Sequence, residues 1–144
     1  MSNEPTSPVE TGAVNAPNVQ KIRAYQKAMA EGDFAGAAAI FDPEVRYIVP
    51  GNNRLSGDYT GVEAVMGYFA RLMELTGGTY AITHMNWLVC EEDVLLETRN
   101  TARIGENELT WDEAILFRFV EGRKKVITLF QADQEAVDRF YDTH

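Results

Sequence analysis

The spacing of hydrophobic residues changes period about halfway along the chain. Up to about residue 75 they recur every three or four positions, and from about residue 79 they alternate. The first spacing is that of amphipathic helices and the second that of half-buried strands. Val19, Ile22, Tyr25 and Met29 form one stripe, with Asn18 placed to cap it. Gly32-Asp33 ends that helix and caps a short second one with Phe34, Ala37, Ala38 and Phe41 inward, stopped by Asp42-Pro43. Val45 to Pro50 predicts a short strand, followed by a Gly/Asn-rich loop to Gly57. Thr60 and Glu63 have capping-box spacing for a third helix, whose stripe is Val62, Val65, Met66, Phe69, Leu72 and Met73.

Four alternating runs then predict strands over 79–90, 93–104, 108–121 and 124–132. The intervening turn residues, Glu91-Glu92, Gly105-Glu106-Asn107 and Glu121-Gly122, have hairpin lengths. A final helix carries Ala136, Val137, Phe140 and Tyr141 inward, with Asp133 as its N-cap. Helices followed by an antiparallel meander give an α+β fold, one curved sheet wrapped over three N-terminal helices. Residues 1–17 show no periodicity and are expected to be a disordered tail, which leaves 18–144 as the single domain.

One position breaks its pattern. Leu109, Trp111, Glu113, Ile115, Phe117 and Phe119 share one face of the third strand, so a carboxylate stands in an apolar row. An unpartnered buried charge costs several kcal/mol. Glu113 is therefore an edge position reaching water, a member of an ion pair, or a polar handle in an apolar ligand pocket. On the second strand, alternation alone favours Val94, Leu96, Ala102 and Ile104 inward, with Glu97 and Arg99 outward.

Composition narrows the partners. The 144 residues are 45% hydrophobic and carry a formal charge of −9, with no run of Lys or Arg, so neither nucleic acid nor an anionic membrane is an expected partner. Cys90 is the only cysteine and, following Trp87-Leu88-Val89, reads as a small buried hydrophobe. His84 and His144 are too few for a His-rich metal site, and no metal or cofactor is expected. No stretch nears the ~18 apolar residues of a membrane span and no signal-peptide core is visible, so a cytoplasmic protein is expected.

The order of elements, with Ala24-Tyr25 leading to Glu31-Gly32-Asp33-Phe34, then Val49-Pro50-Gly51, Gly57-Asp58-Tyr59-Thr60-Gly61 and Leu116-Phe117-Arg118-Phe119, resembles the SnoaL-like group of the ketosteroid-isomerase and nuclear transport factor 2 superfamily. The likeness covers about residues 18–142 and implies a cone-shaped half-barrel closed at one end by helices around a deep apolar pocket. Such a fold hosts isomerases, cyclases, an epoxide hydrolase, dehydratases and non-catalytic binders, so it does not choose the chemistry. Ketosteroid isomerases use an Asp base facing a Tyr and a protonated Asp. By resemblance Tyr25 matches the Tyr, but Val49 and Ile115 stand at the two carboxylate positions. SnoaL-type cyclases place a His at Ile115 and an Asp at Gln131. Epoxide hydrolases match at Arg99 and Tyr47, with Thr101 and Gln131 at their two aspartates and Val49 at their Asn. The same resemblance puts Arg99 and Thr101 inside the cone, against the alternation.

Together these readings gather one candidate site. Glu113, Asp133, Arg99 and Tyr25 are its catalytic candidates, and Tyr47, Val49, Phe69, Trp87, Thr101, Trp111, Ile115, Phe117 and Gln131 its substrate-binding ones. If Arg99 pairs with Glu113, the carboxylate is held ionised as a structural anchor; if it does not, desolvation raises the pKa toward the range of acid–base catalysis. Asp133 also reads plainly as a helix cap. The expected function is acid–base isomerisation, cyclisation or dehydration of an apolar, oxygen-bearing small molecule such as a polyketide, terpenoid or steroid-like compound. The alternatives are a non-catalytic binding or dimerisation module and an epoxide-hydrolase-like enzyme with an altered site. A homodimer is expected, because the convex face of such a sheet, read here as bearing Leu96 and Leu116, needs cover.

Overall fold

The computed structural model describes residues 7–142, so the expectations on residues 1–6 and on His144 lie outside the described residues. Three helices come early: α1 (Pro17–Ala30), α2 (Phe34–Ala38) and α3 (Val62–Leu75). They pack into the curve of one seven-stranded sheet, in the order β1-β4-β5-β6-β7-β2-β3. Its strands are β1 (Val9–Gly12), β2 (Phe41–Val49), β3 (Gly57–Thr60), β4 (Ala81–Cys90), β5 (Asp93–Ile104), β6 (Asn107–Val120) and β7 (Arg123–Gln131). A last helix, α4 (Gln134–Tyr141), is capped by Asp133, whose carboxylate accepts from the Ala136 N–H at 3.1 Å. The β4–β7 meander falls within two residues of the runs read from alternation, and the α+β half-barrel stands as expected.

Local corrections concern places where contacts distant in sequence decide. The expected tail is structured from Val9, because β1 pairs in parallel with β4. Glu10 then accepts from the Trp87 indole at 3.1 Å and forms an ion pair with Arg23 at 3.0 Å. Asn18 caps nothing; its amide donates to the Glu92 carbonyl at 2.8 Å, and Ala16 is the N-cap of α1. Phe34 is exposed, and Phe41 belongs to β2 rather than α2. Gly61, not Thr60, is the N-cap of α3, and Met73 at the end of its stripe is exposed. Cys90 is exposed rather than buried, since it ends a strand at the hairpin turn.

Register settles which side of each strand faces the helices. Thr98 lies opposite Glu113, and Arg99 opposite Asp112. Directly opposed residues in an antiparallel pair share a face. The inner row of β5 is therefore Val94, Leu96, Thr98, Asn100 and Ala102, all buried. Alternation read this strand correctly, and the family match was one residue out of phase. Leu96 faces inward, and the outer ladder is Leu88, Leu95 and Leu116 on three adjacent strands.

Candidate active site

Between the sheet and the helices lies an apolar cavity of about 120 Å³. It is close in size to an engineered cavity of about 150 Å³ that holds benzene. Tyr25, Tyr47, Val49, Phe69, Ile115, Phe117, Glu113 and Gln131 line it, as the sequence suggested. Tyr68, Tyr80, Tyr141 and Lys124, also in the lining, were not among the expected site residues.

Glu113 stands on the wall through the inward row of β6, and its carboxylate is buried. The Trp111 indole donates to its Oε1 at 2.8 Å and the Gln131 amide donates to the same oxygen at 3.2 Å. No cation pairs with it among the described residues. Burial raises its pKa above the ordinary carboxylate value, and the two hydrogen bonds offset only part of that. Gln131 Oε1 is left buried with no partner. Burial pushes the phenols of Tyr47 and Tyr68 up, so both remain neutral donors. Tyr80 and Tyr141 are raised too, by burial first and then by the nearby Glu113 charge.

The cavity holds a second ionisable group. Lys124 is 1% exposed, and its Nζ lies 4.0 Å from the ring centroid of Tyr25, 4.8 Å from that of Phe117 and 5.0 Å from that of Phe41. Burial lowers its ammonium pKa from 10.5 to about 7, while the ring faces offset part of that desolvation by attracting the cation. The amine is inward because of a bulge. Arg118 pairs with Val126 and Phe119 with Lys124, so Lys125 is an extra residue on β7. The β2 register shifts at the same place, between Phe41 and Arg46. Counting back by twos from Gln131, Leu129 and Ile127 would turn Lys125 inward; the bulge substitutes Lys124. Lys125 is instead held outside by Asp42 at 3.3 Å and Glu44 at 3.1 Å.

The remaining expected site residues lie elsewhere. Arg99 is on the outer face, bonded to Asp112 at 2.9 Å, and does not pair with Glu113. Thr101 shares a hydroxyl contact with Thr110 at 3.3 Å, outside the cavity. Asp133 is occupied as the α4 cap, and Trp87 packs in the core toward Glu10. Trp111 is behind the lining, against Tyr80, Phe140 and Tyr141, and reaches the site through its hydrogen bond to Glu113. The epoxide-hydrolase frame of Arg99, Tyr47, Thr101 and Gln131 is thus split between two faces of the sheet. Among the described residues no cluster of His, Cys, Asp and Glu could hold a metal ion, and no helix is long and apolar enough to cross a membrane.

At one side of the cavity the Pro50–Leu55 loop is strapped to α4. Asp138 Oδ1 accepts from Asn53 Nδ2 at 2.7 Å, Gln134 Nε2 at 2.9 Å and the Asn52 N–H at 3.1 Å. Gly51, at φ +91°, permits this approach, since a Cβ there would fall 2.1 Å from the Gln134 amide nitrogen.

Comparison with known proteins agrees with this architecture. The model of the SnoaL-like domain matches residues 22–127, and the chain belongs to that family. An uncharacterised protein of Mycobacterium tuberculosis strain H37Rv is 30% identical over 121 residues, spanning 83% of this chain and 92% of its own. Bal32a, from a soil-derived mobile gene cassette, superposes with a TM-score of 0.81 at 30% identity, covering 87% of this chain and 96% of its own. A protein of Jannaschia sp. CCS1 described as a SnoaL-like polyketide cyclase has the same fold, with a TM-score of 0.71 at 18% identity over 99% of both chains.

Proposed function

We propose that this SnoaL-like protein is an acid–base enzyme that needs no cofactor and acts on a small, apolar, oxygen-bearing molecule, with Glu113 moving the proton. The observation that carries this reading is the Glu113 carboxylate, buried in the wall of an apolar cavity without a cation. A carboxyl group with a pKa raised by desolvation is suited to exchange a proton with carbon or oxygen near neutral pH. Trp111 and Gln131 hold one oxygen and fix the plane of the group, leaving Oε2 to face the ligand. The neutral hydroxyls of Tyr47 and Tyr68 and the Gln131 amide supply polar contacts for a carbonyl or enol oxygen. Isomerisation, cyclisation and dehydration all need this transfer next to a carbonyl. The volume favours a ligand built on about one ring. A homodimer belongs to the same reading: the outward ladder Leu88, Leu95 and Leu116, with Phe130 beside it, offers an apolar face for a second copy.

Deuterium exchange at the α-carbons of single-ring ketones, cyclohexanone and 2-cyclohexenone, tests the proton chemistry by NMR. The wild type should catalyse exchange, and Glu113→Gln should slow it by about 10²–10⁴-fold while leaving binding in place. Binding of these ketones without any exchange would favour the non-catalytic pocket module instead. Mass measurement by light scattering at micromolar concentration checks the dimer; a mass near the 16.1 kDa of one chain would refute it.

A further inference from the structure

Among the four lysines of this chain, three have polar partners. Lys21 donates to the Gly122 carbonyl at 2.9 Å, Lys27 faces Glu31, and Lys125 is held by Asp42 and Glu44. The Lys124 amine has no hydrogen bond and no carboxylate partner among the described residues, although this lysine is the most deeply buried of the four. Its surroundings are the faces of three aromatic rings and the open cavity, and the only ionisable group among those contacts is Tyr25. The Tyr25 hydroxyl is itself buried with no partner.

A lysine kept here only for stability would be a poor choice, because an apolar residue of the same length would fill the space without a charge to desolvate. The fold nonetheless inserts an extra residue into β7, with a matching shift in β2, at the point that turns this amine inward. Bulges concentrate beside functional sites because they re-aim a side chain. The geometry points to Lys124 as an amine nucleophile that captures an aldehyde or ketone inside the cavity as an imine, with the Tyr25 hydroxyl donating to the carbonyl oxygen. The site is separate from the Glu113 proton chemistry, though it shares the cavity.

The step balances without any other reagent. The nitrogen lone pair of the neutral amine attacks the carbonyl carbon, a C–N bond forms, and the carbonyl π pair moves to oxygen. A proton passes from nitrogen to that oxygen, giving a carbinolamine. Protonation of its hydroxyl and loss of water leave the C=N bond, so amine and carbonyl give imine and one water. Burial that lowers the lysine pKa supplies neutral amine near pH 7, where exposed lysines are almost wholly protonated.

Reductive trapping of the intact wild-type chain tests this. Benzaldehyde, whose ring suits the cavity, is added with sodium cyanoborohydride at pH 7, and the benzylated residues are located by peptide mass mapping. Lys124 should be benzylated at least tenfold faster than Lys21, Lys27 or Lys125, and in concentrated urea all four should react alike. Lys124 left unmodified while the surface amines react would overturn the proposal, as would equal labelling of all four lysines in the folded protein. Glu113→Gln should leave the labelling of Lys124 unchanged. Ketone exchange by the wild type without selective labelling of Lys124 would overturn this proposal alone, and selective labelling of Lys124 without any exchange would overturn the Glu113 reading alone.

Discussion

The two ends of the cavity treat a buried ionisable group in opposite ways. At one end Glu113 is met by polar donors, the Trp111 indole and the Gln131 amide, with tyrosine hydroxyls close by. At the other end Lys124 meets only ring faces. Both pKa values move toward neutrality, each because burial disfavours the charged form, yet the opposite charges do not meet. In the β6–β7 register Glu113 pairs with Gln131 and Phe119 with Lys124, so six residues of strand, about 20 Å at the usual rise, lie between the two sites. A stabilising ion pair would have been available to the same two residue types placed closer. Their separation is what leaves each available to a ligand.

The lysine end should give the largest response to mutation. In the unfolded chain Lys124 titrates near 10.5 and in the folded chain near 7, so between these values the unfolded chain binds the extra proton and stability rises with pH. Below pH 7 the whole penalty is present. That drop in pKa corresponds to about 5 kcal/mol as an upper figure, reduced by the cation–ring attraction. Lys124→Met should therefore be more stable than the wild type by several kcal/mol at pH 6, with the gap closing toward pH 10. Urea midpoints at both pH values check it. A gap that does not change with pH would mean that the amine is solvated, and the contrast between the two ends would fail.

A smaller effect is expected at the carboxylate end. Trp111→Phe removes a donor to a buried carboxylate and should cost about 1–3 kcal/mol. Glu113, with its raised pKa, is neutral at low pH and ionised only above that pKa, and the ionised form depends more on the donor. The loss should accordingly be larger at pH 9 than at pH 4, which thermal or urea unfolding at the two pH values would show. Equal losses at both would assign Trp111 to packing alone, against Phe140 and Tyr141.

The smallest change is expected outside the cavity. Arg99→Ala breaks an exposed pair with Asp112 and should cost no more than about 1 kcal/mol. Its effect should add to that of Glu113→Gln within about 0.5 kcal/mol in a double-mutant cycle, since the two side chains occupy opposite faces. Strong coupling between them would contradict the register of β5.

That register shows how far the chain can be read without its structure. Glu113 was visible because β6 keeps strict alternation and a carboxylate interrupts it. The inner row of β5 was equally visible, in Val94, Leu96 and Ala102, and was overridden by a family match that brought Arg99 and Thr101 inside. Lys124 was hidden, because alternation carries no mark of an inserted residue: the bulge at Lys125 depends on pairing with both β6 and β2. Tyr68 was legible in principle, three residues after Val65 and four before Leu72 on the buried stripe of α3. The strand β1 was not, since Val9–Gly12 has no alternating pattern and is held by β4, more than seventy residues away.

That short strand has a consequence for how the sheet edge is kept from pairing with other copies. Without residues 7–12, β4 would become the outermost strand, ten residues long, with a row of unpaired backbone donors and acceptors. Exposed strands of that length recruit copies of themselves, and a short terminal strand is one of the ways proteins blunt such an edge. Glu10 fastens the cover by accepting from Trp87 and pairing with Arg23 on α1. Gly12 ends it where a Cβ would lie 2.1 Å from the Trp87 carbonyl oxygen. Removing the first twelve residues as a dispensable leader would open this edge, and the shortened chain should aggregate in a concentration-dependent way although its cavity is untouched.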